Sequence, residues 1–429
     1  MRTILTAALL LAVTHAWAQI PVPGKMPEKA ILLTGGIAHI GNGDVIENSV
    51  IGIENGKISF VKPMGAVKLN AEEADIININ GKHVYPGFIN PNNTLGITEI
   101  DAVRATRDYS ETGTFNPEVR ALTSFNTDSR ISPTVRSNGI LMTQVTPRSG
   151  RVSGTSSVMH LDGWNWEDAA VGPDDGVHIN WPSRFQRTGW WAAPGPTKPN
   201  KKYDEQVDEL KTFMQRAKAY SESDNPEFNQ KLDACKGLFD GSQNLYLHAN
   251  NAKNIMESVL WAESIGIKKP VIVGGSDAWL VADFLSTKKI PVILERTHSL
   301  PSDSDTDIDQ PFKTPKTLFD NKILFCLSYA GDMEAMGSRN LPFTAGTAVA
   351  YGLKYEEAVK ALTLNAAKIM GVDDACGSLE SGKAATLFVS EGDALDMMTN
   401  DVTHAFIEGR PIDLDNPQKY LYRKYKAKN

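Results

Sequence analysis

The stretch GKHVYPGFINPNNTLGITEID, from Gly81 to Asp101, is where the rhythm of the chain changes. A strand-like run ends in Pro86-Gly87, and a short apolar step leads into a polar patch of asparagines and a threonine. On the N-terminal side, AILLTGGIAHIG, SVIGIENGKISFVKP and ADIININGKHVYPG pair β-rich runs with turn residues. Asn55-Gly56 between apolar runs is a hairpin signal, so residues 30–84 read as all-β. On the C-terminal side, strand-like and helical stretches alternate. YDEQVDELKTFMQRAKAYSES is amphipathic at helical spacing. NLYLHAN, PVIVGG, PVILER and ILFCLSYAG read as strands, and AKNIMESVLWAESIG, SDAWLVADFLSTKK and KYEEAVKALTLNAAKIMG as helices. Such repeated units predict a parallel sheet with helices outside. GSLESGKAATLFVSEGDALD and DVTHAFIEGRPIDL then return to strand and turn, so the two ends of the chain are expected to meet in one small β domain. The tail NPQKYLYRKYKAKN is basic and aromatic, and is expected to fray or pack on the surface.

Composition narrows the function classes. The chain has 429 residues, 41% hydrophobic and 22% charged, which is ordinary for a globular protein. A net charge of −7 offers no basic field for nucleic acid or an anionic membrane. Asp303, Asp305, Asp307 and Asp309 read as a solvated loop, because the glycine turn and closing glutamate of a calcium loop are missing. Arg2, the apolar run Ile4–Val13 and the A-x-A pattern Ala16-Trp17-Ala18 predict a signal peptide over residues 1–18, followed by a linker over 19–29. No later stretch is long enough for a membrane span, so the expectation is an exported protein, periplasmic or secreted. Cys235, Cys326 and Cys376 are odd in number and widely spaced, which is no disulfide framework. Cys326, in ILFCL, reads as a buried small hydrophobe.

Several separate stretches carry a resemblance, in the same order. IENGKISFV looks like a first β-domain hairpin, GKHVYPGFIN like the lead-in to a first barrel strand, and LYLHANN like a fifth strand with its histidine. EEAVKALTLNAAKIMGVDDACGSLESGKAATLFV looks like the run from a last barrel helix back into a β domain. Together they resemble the amidohydrolase superfamily, specifically its imidazolonepropionase-like members, over nearly the whole mature chain. The resemblance implies an α/β fold: a TIM-like (β/α)8 barrel over residues 85–374, with a β-sandwich built from 30–84 and 375–415 and a tail over 416–429. It also implies a hydrolase of C–N bonds in small cyclic or linear amides, working through a divalent metal such as zinc. A bound cation lowers the pKa of water to about 7 and so supplies hydroxide at neutral pH.

In that family the ligands are a His-x-His after strand one, a lysine or glutamate from the middle strands, histidines from strands five and six, and an aspartate after strand eight. Carried onto this chain, the strand-one pair falls on Asn92 and Thr94, and the strand-five histidine is His248. The strand-six position falls at Gly274 or Gly275, and the strand-eight position near Ala330, with Asp332 two places on. Most ligand positions are therefore substituted, and an altered metal site is expected. His248 has two readings, a retained metal ligand or a histidine hydrogen-bonded within its strand.

Other polar residues are candidates for the same mouth. Glu99 and Asp101 lie just past the strand-one stretch, His160 and Asp162 in VMHLDGW, and Glu167 and Asp168 in WNWED. Glu295, Arg296 and His298 follow a barrel strand in ILERTHS. Asn92, Thr94, Glu99, His160, His248, Glu295 and Arg296 are taken as substrate-binding candidates, and Asp332 and His298 as catalytic ones. Arg104, Arg107, Arg120, Arg130, Arg136, Arg148 and Arg151 either meet a substrate carboxylate or pair with nearby acids. RSGRVSGTSSVM offers glycines and hydroxyls to an anion but no nucleotide-binding spacing, and no G-x-S-x-G elbow surrounds its serines. GWNWED, NWPSRF and GWW line a binding face or pack a long insertion. Two functions remain open for a protein that meets a small molecule rather than nucleic acid. One is a C–N hydrolase with an altered metal site. The other is a non-catalytic ligand-binding protein, or a partner subunit in a homo-oligomer or in a hetero-oligomer with a homologous amidohydrolase.

Overall fold

The computed structural model describes residues 22–428 except 69, 71, 187, 191, 302 and 304. The expected signal peptide lies outside the described residues.

The first sheet draws on both ends of the chain. Its strands are β1 (Ala30–His39), β2 (Val45–Glu54), β3 (Lys57–Pro63), β4 (Ala74–Asn78) and β5 (His83–Pro86). After four two-residue strands (β10, Phe185–Gln186; β11, Gly189–Trp190; β12, Ala193–Pro194; β13, Lys198–Pro199) and four barrel strands (β14–β17), β18 (Leu387–Ser390), β19 (Val402–Ile407) and β20 (Arg410–Pro411) complete it. Asn55 and Gly56 both adopt positive φ, 50° and 81°, in the tight turn between β2 and β3, as Asn-Gly favours. The expected sandwich is one continuous hydrogen-bonded sheet in the order β20-β19-β18-β5-β1-β2-β3. The reason is the length of β1, which pairs with β2 along one edge and with β4 and then β5 along the other. Inward residues of these strands, among them Leu33, Ile51, Ile58, Val84 and Phe406, form one apolar core.

The second sheet is the barrel. Its strands are β6 (Phe88–Asn93), β7 (Ile140–Val145), β8 (Val152–His160), β9 (Ala170–Asn180), β14 (Asn244–Ala249), β15 (Pro270–Gly274), β16 (Val292–Leu294) and β17 (Phe325–Leu327). They are ordered β17-β16-β15-β14-β9-β8-β7-β6. From β9 onward every pairing is parallel, as the alternating pattern predicts. The first half departs from that pattern, because β8 runs antiparallel to both β7 and β9. Only residues 146–151 separate β7 from β8, whereas a parallel crossover needs on the order of a dozen. VSGTSSVM, residues 152–159, is accordingly a buried strand and not an anion-presenting loop.

Around the parallel half, the helix Tyr203–Ser221 buries Val207, Leu210, Met214 and Ala217 on one face. The helix Ala252–Ile265 starts under an Asn251 cap and stops at Gly266, whose φ of 88° favours glycine. The run KYEEAVKALTLNAAKIMG is two helices, Tyr355–Leu362 and Leu364–Met370, broken at Thr363. The tail lies on the surface. It is a helix, Pro417–Lys426, with no buried residue, tethered at its start by Asn416 to Ser137 and Gln418 to Thr134. All three cysteines are buried and free. Among the described residues no helix is long and apolar enough to cross a membrane.

Two sets of contacts position β6. Tyr85 and Phe88, on either side of Pro86-Gly87, both pack on Phe388 of β18, with ring centroids 5.3 and 4.9 Å away. Side chains close the seam between β17 and β6. Asn90 Oδ1 accepts from the Tyr329 amide at 3.0 Å, and Ser328 Oγ donates to the Pro91 carbonyl at 2.7 Å. Asn90 is fully buried and also donates to Ser338 Oγ at 2.9 Å. Replacing it with alanine strands a buried backbone N–H, and Asn90→Ala should cost on the order of 3 kcal/mol in denaturant unfolding with an unchanged m-value.

Candidate active site at the barrel mouth

A cavity of about 900 Å³ opens at the C-terminal ends of the parallel strands, lined by Asn92, Thr94, Arg148, His248, Glu295 and Glu334, with Asp101, Arg107 and Asp332 toward its rim. That is the end at which a barrel of this kind places its chemistry. The β7–β8 reversal matters here, because it turns the loop 146–151 over the mouth and with it Arg148.

Arg148 is the centre of the arrangement. Its Nε and Nη2 donate to the two carboxylate oxygens of Glu334 at 3.0 Å each. Its Nη1 and Nη2 donate to Asn92 Oδ1 and to the Asn92 carbonyl, each at 2.6 Å. Asn92 therefore acts as a double acceptor for a guanidinium. Its backbone has a φ of 51°, a left-handed conformation that asparagine tolerates, and its amide donates to Gln144 Oε1 at 3.0 Å. Thr94 is buried beside it, and its hydroxyl has no hydrogen-bond partner.

His248 comes from β14 and His178 from the neighbouring β9, with His178 Nδ1 2.8 Å from His248 Nε2. His178 also stacks on Tyr246 at a centroid distance of 4.5 Å. Burial, and then the charge of Arg148, push His248 down to about 3. Burial, His248 and Arg148 hold His178 well below the ordinary histidine range. Both rings are neutral near pH 7, and one donates its proton to the other. His178 Nε2 is buried without a partner.

Beneath them lies a buried acid. Asp175 accepts from Gln144 Nε2 and Ser156 Oγ at 2.7 Å and from the Tyr246 hydroxyl at 2.5 Å. Burial outweighs these bonds and pushes Asp175 up to about 6. At the mouth, burial also raises Glu295, opposed by Arg148 and reinforced by Glu334. Asp101 is raised by burial against the pull of Arg107.

The remaining candidates are dispersed. Asp332 is exposed at the rim, and its carbonyl accepts from Arg296 at 3.3 Å. The buried acid beyond the last barrel strand is Glu334, two residues further on. His298 turns to the helix Leu341–Ala350, with Nε2 2.7 Å from Thr347 Oγ1. Glu99 accepts from Asn126 and from the Arg130 amide within its own loop. His160 ends the antiparallel β8, so it points to the foot of the barrel and faces Glu408 of the other sheet at 3.8 Å. Asp162 pairs there with Arg136, and Asp168 with Arg410. Arg120 pairs with Asp174 and Arg151 with Glu209, while Arg107 joins Arg148 at the mouth. At the strand-six position Gly274 has a φ of 100°, and a Cβ there would overlap the Asn250 carboxamide. Among the described residues, no three His, Cys, Asp or Glu side chains come together in a way that could hold a metal ion.

Glu334, His178, Asp175 and Gln144 were not singled out from sequence. The signal for the last three was the density of polar residues inside strand-like runs (MTQV, DDGVHIN), since a buried polar group needs a built partner.

Comparison with known proteins agrees with this architecture. The model of the amidohydrolase family matches residues 320–412, from before the last barrel strand to the end of the first sheet. No curated protein matches the chain. Among solved structures, an amidohydrolase from Thermotoga maritima MSB8 superposes with a TM-score of 0.76 at 23% identity, covering 89% of this chain and 99% of that one. Molinate hydrolase gives 0.57 at 15% identity, covering 91% and 95%. A putative prolidase from Bifidobacterium longum gives 0.52 at 17%, covering 92% and 99%. At these identities the likeness is one of fold. The chain has the amidohydrolase fold, a TIM-like barrel with an added sheet domain.

Asp175 binds more protons folded than unfolded between its ordinary value of 3.8 and about 6. Its contribution to stability is present below that window and is lost as pH rises through it. His248 acts in the opposite sense, since its contribution is full above 6.5 and falls as pH drops toward about 3. Removing the titration by Asp175→Asn should therefore steepen the acid-side loss of stability. The stability of wild type relative to the variant should fall by on the order of 3 kcal/mol between about pH 4 and 7, read from denaturant melts at each pH.

Proposed function

We propose that this chain is an exported, imidazolonepropionase-like member of the amidohydrolase family with an altered metal site, acting at the barrel mouth on the C–N bond of a small amide. The observation that carries the reading is the partly buried cluster of Arg148, Glu295, Glu334 and His248 around a cavity at that mouth. Buried charges and neutral imidazoles are costly to hold together, and they concentrate where chemistry or binding needs them. The expected zinc does not fit these residues. The strand-one positions offer a carboxamide and an unpartnered hydroxyl, His248 has one ring nitrogen engaged by His178, and a guanidinium already stands among them. No step through a metal follows from such a donor set.

The chain's own groups divide the work. Arg107 at the rim suits a carboxylate on the substrate. Glu295, with its carboxyl raised by burial, is placed to take a proton from water or return one to a leaving nitrogen. Neutral His248 offers its Nδ1 edge for positioning. Export is part of the same proposal, supported by Ile4–Val13 and Ala16-Trp17-Ala18.

One specific observation favours a second reading, ligand binding without turnover, alone or as a partner of a homologous subunit. Arg148 spends its donors on Glu334 and Asn92, leaving the mouth without a strong electrophile for a carbonyl. A panel of cyclic amides and N-acyl amino acids separates the two. Turnover that EDTA leaves unchanged, and that falls roughly 100-fold or more in Glu295→Gln with unaltered melting, supports the hydrolase. A raised Tm without turnover supports the binder, and neither effect across the panel sinks the assignment to C–N compounds.

A further inference from the structure

We infer that Arg148 is the permanent cation of the barrel mouth, standing as a side chain where a divalent metal would otherwise neutralise the cluster. The inference rests on the reading of the mouth as an altered amidohydrolase-type site.

Three segments converge on this guanidinium: the end of β6 through Asn92, the β7–β8 loop that carries it, and the segment after β17 through Glu334. The first and last are the positions, after strands one and eight, where the resemblance places metal ligands. The contacts have the character of a cation site. Both oxygens of a carboxylate that is 6% exposed, an amide oxygen and a main-chain carbonyl all point at one positive group. A fourth element, β14, brings His248 into the same cavity, and Glu295 enters from the end of β16.

Charge balance explains the arrangement. A carboxylate as buried as Glu334 needs a cation close by, and among its ion pairs Arg148 is the partner. A guanidinium meets that need more firmly than a metal would, because it is charged at every accessible pH and cannot be chelated away. It also removes one kind of chemistry. All its valences are filled, so it offers N–H donors but no open coordination position for water. The cluster keeps the field of a metal centre and loses its means of making hydroxide.

The same geometry predicts what lies beneath. With the guanidinium gone, Glu334, the Asn92 oxygens and Glu295 present oxygen donors to the vacated space, a set suited to a hard divalent ion such as Mn²⁺. The test uses the mature protein, metal analysis after desalting, and melting with Mn²⁺ or EDTA. Wild type should carry no stoichiometric metal and show no Tm shift with either reagent. Arg148→Ala should melt lower, recover with Mn²⁺, lose that recovery in EDTA, and bind Mn²⁺ roughly tenfold or more tightly than wild type. Arg148→Lys keeps the charge and should not respond to Mn²⁺. The double variant Arg148→Met/Glu334→Gln, with both charges removed, should also be unresponsive.

Stoichiometric metal in wild type whose removal lowers Tm overturns the inference. So does an Arg148→Ala protein as stable as wild type and indifferent to Mn²⁺, or uptake of Mn²⁺ by Arg148→Lys. If Arg148→Ala does not fold, wild type and Arg148→Lys decide it. Failure here is distinct from failure of the functional reading: metal-free wild type that ignores every amide sinks only the latter, and an Arg148→Ala protein as stable as wild type and indifferent to Mn²⁺, alongside EDTA-insensitive amide turnover by wild type, sinks only the former.

Discussion

A short connection constrains everything at the mouth of this barrel. Residues 146–151 must carry the chain from the top of β7 into β8, and so few residues can only reverse direction. The reversal runs β8 antiparallel through an otherwise parallel wall and lifts the loop over the cavity. Arg148 rides on that loop, and from there it ties β6 to the segment after β17. β17 and β6 do not pair through their backbones, so this bridge joins the Asn90–Tyr329, Asn93–Tyr329 and Ser328–Pro91 contacts in holding the two ends together. The link that positions the site is thus also a link that closes the fold.

The electrostatics follow from the same placement. Burial suppresses protonation of the nearby imidazoles, and one fixed positive charge over this low-dielectric interior acts in the same direction. For Glu295 the two influences oppose, and burial wins. The result is a cavity wall with neutral rings on one side, a carboxyl poised toward protonation on another, and a saturated ion pair between them. Asp175 extends the pattern inward, since even three donors do not offset its desolvation. Polar groups this deep hold a single arrangement when fully bonded, and the unpartnered atoms, Thr94 Oγ1 and His178 Nε2, mark where bonding stops.

Architecture was legible wherever it rests on local pattern. The Asn55-Gly56 hairpin, the helices Tyr203–Ser221 and Ala252–Ile265, and the strand carrying His248 follow from turn chemistry and periodicity. The direction of β8 was not, because alternation of apolar residues reads the same whichever way a strand runs. That single ambiguity misplaced His160, Asp162 and Asp168, which belong to the foot of the barrel. The length of the 146–151 connection held the answer, since it excludes a crossover. Site chemistry was legible only where a position was fixed by its strand, as with Asn92, Thr94, His248 and Glu295. Arg148 stood among seven arginines of one region, and what distinguishes it is the loop geometry.

Asn92 joins a strained backbone to buried polarity, with a left-handed φ, an amide held by Gln144, and two oxygens on Arg148. The carboxamide and the main-chain carbonyl of Asn92 together accept two hydrogen bonds from one planar fork. Asparagine at residue 92 and arginine at residue 148 are therefore one feature and not two. A side chain at residue 92 without an acceptor would leave one donor of this partly buried guanidinium unpaired.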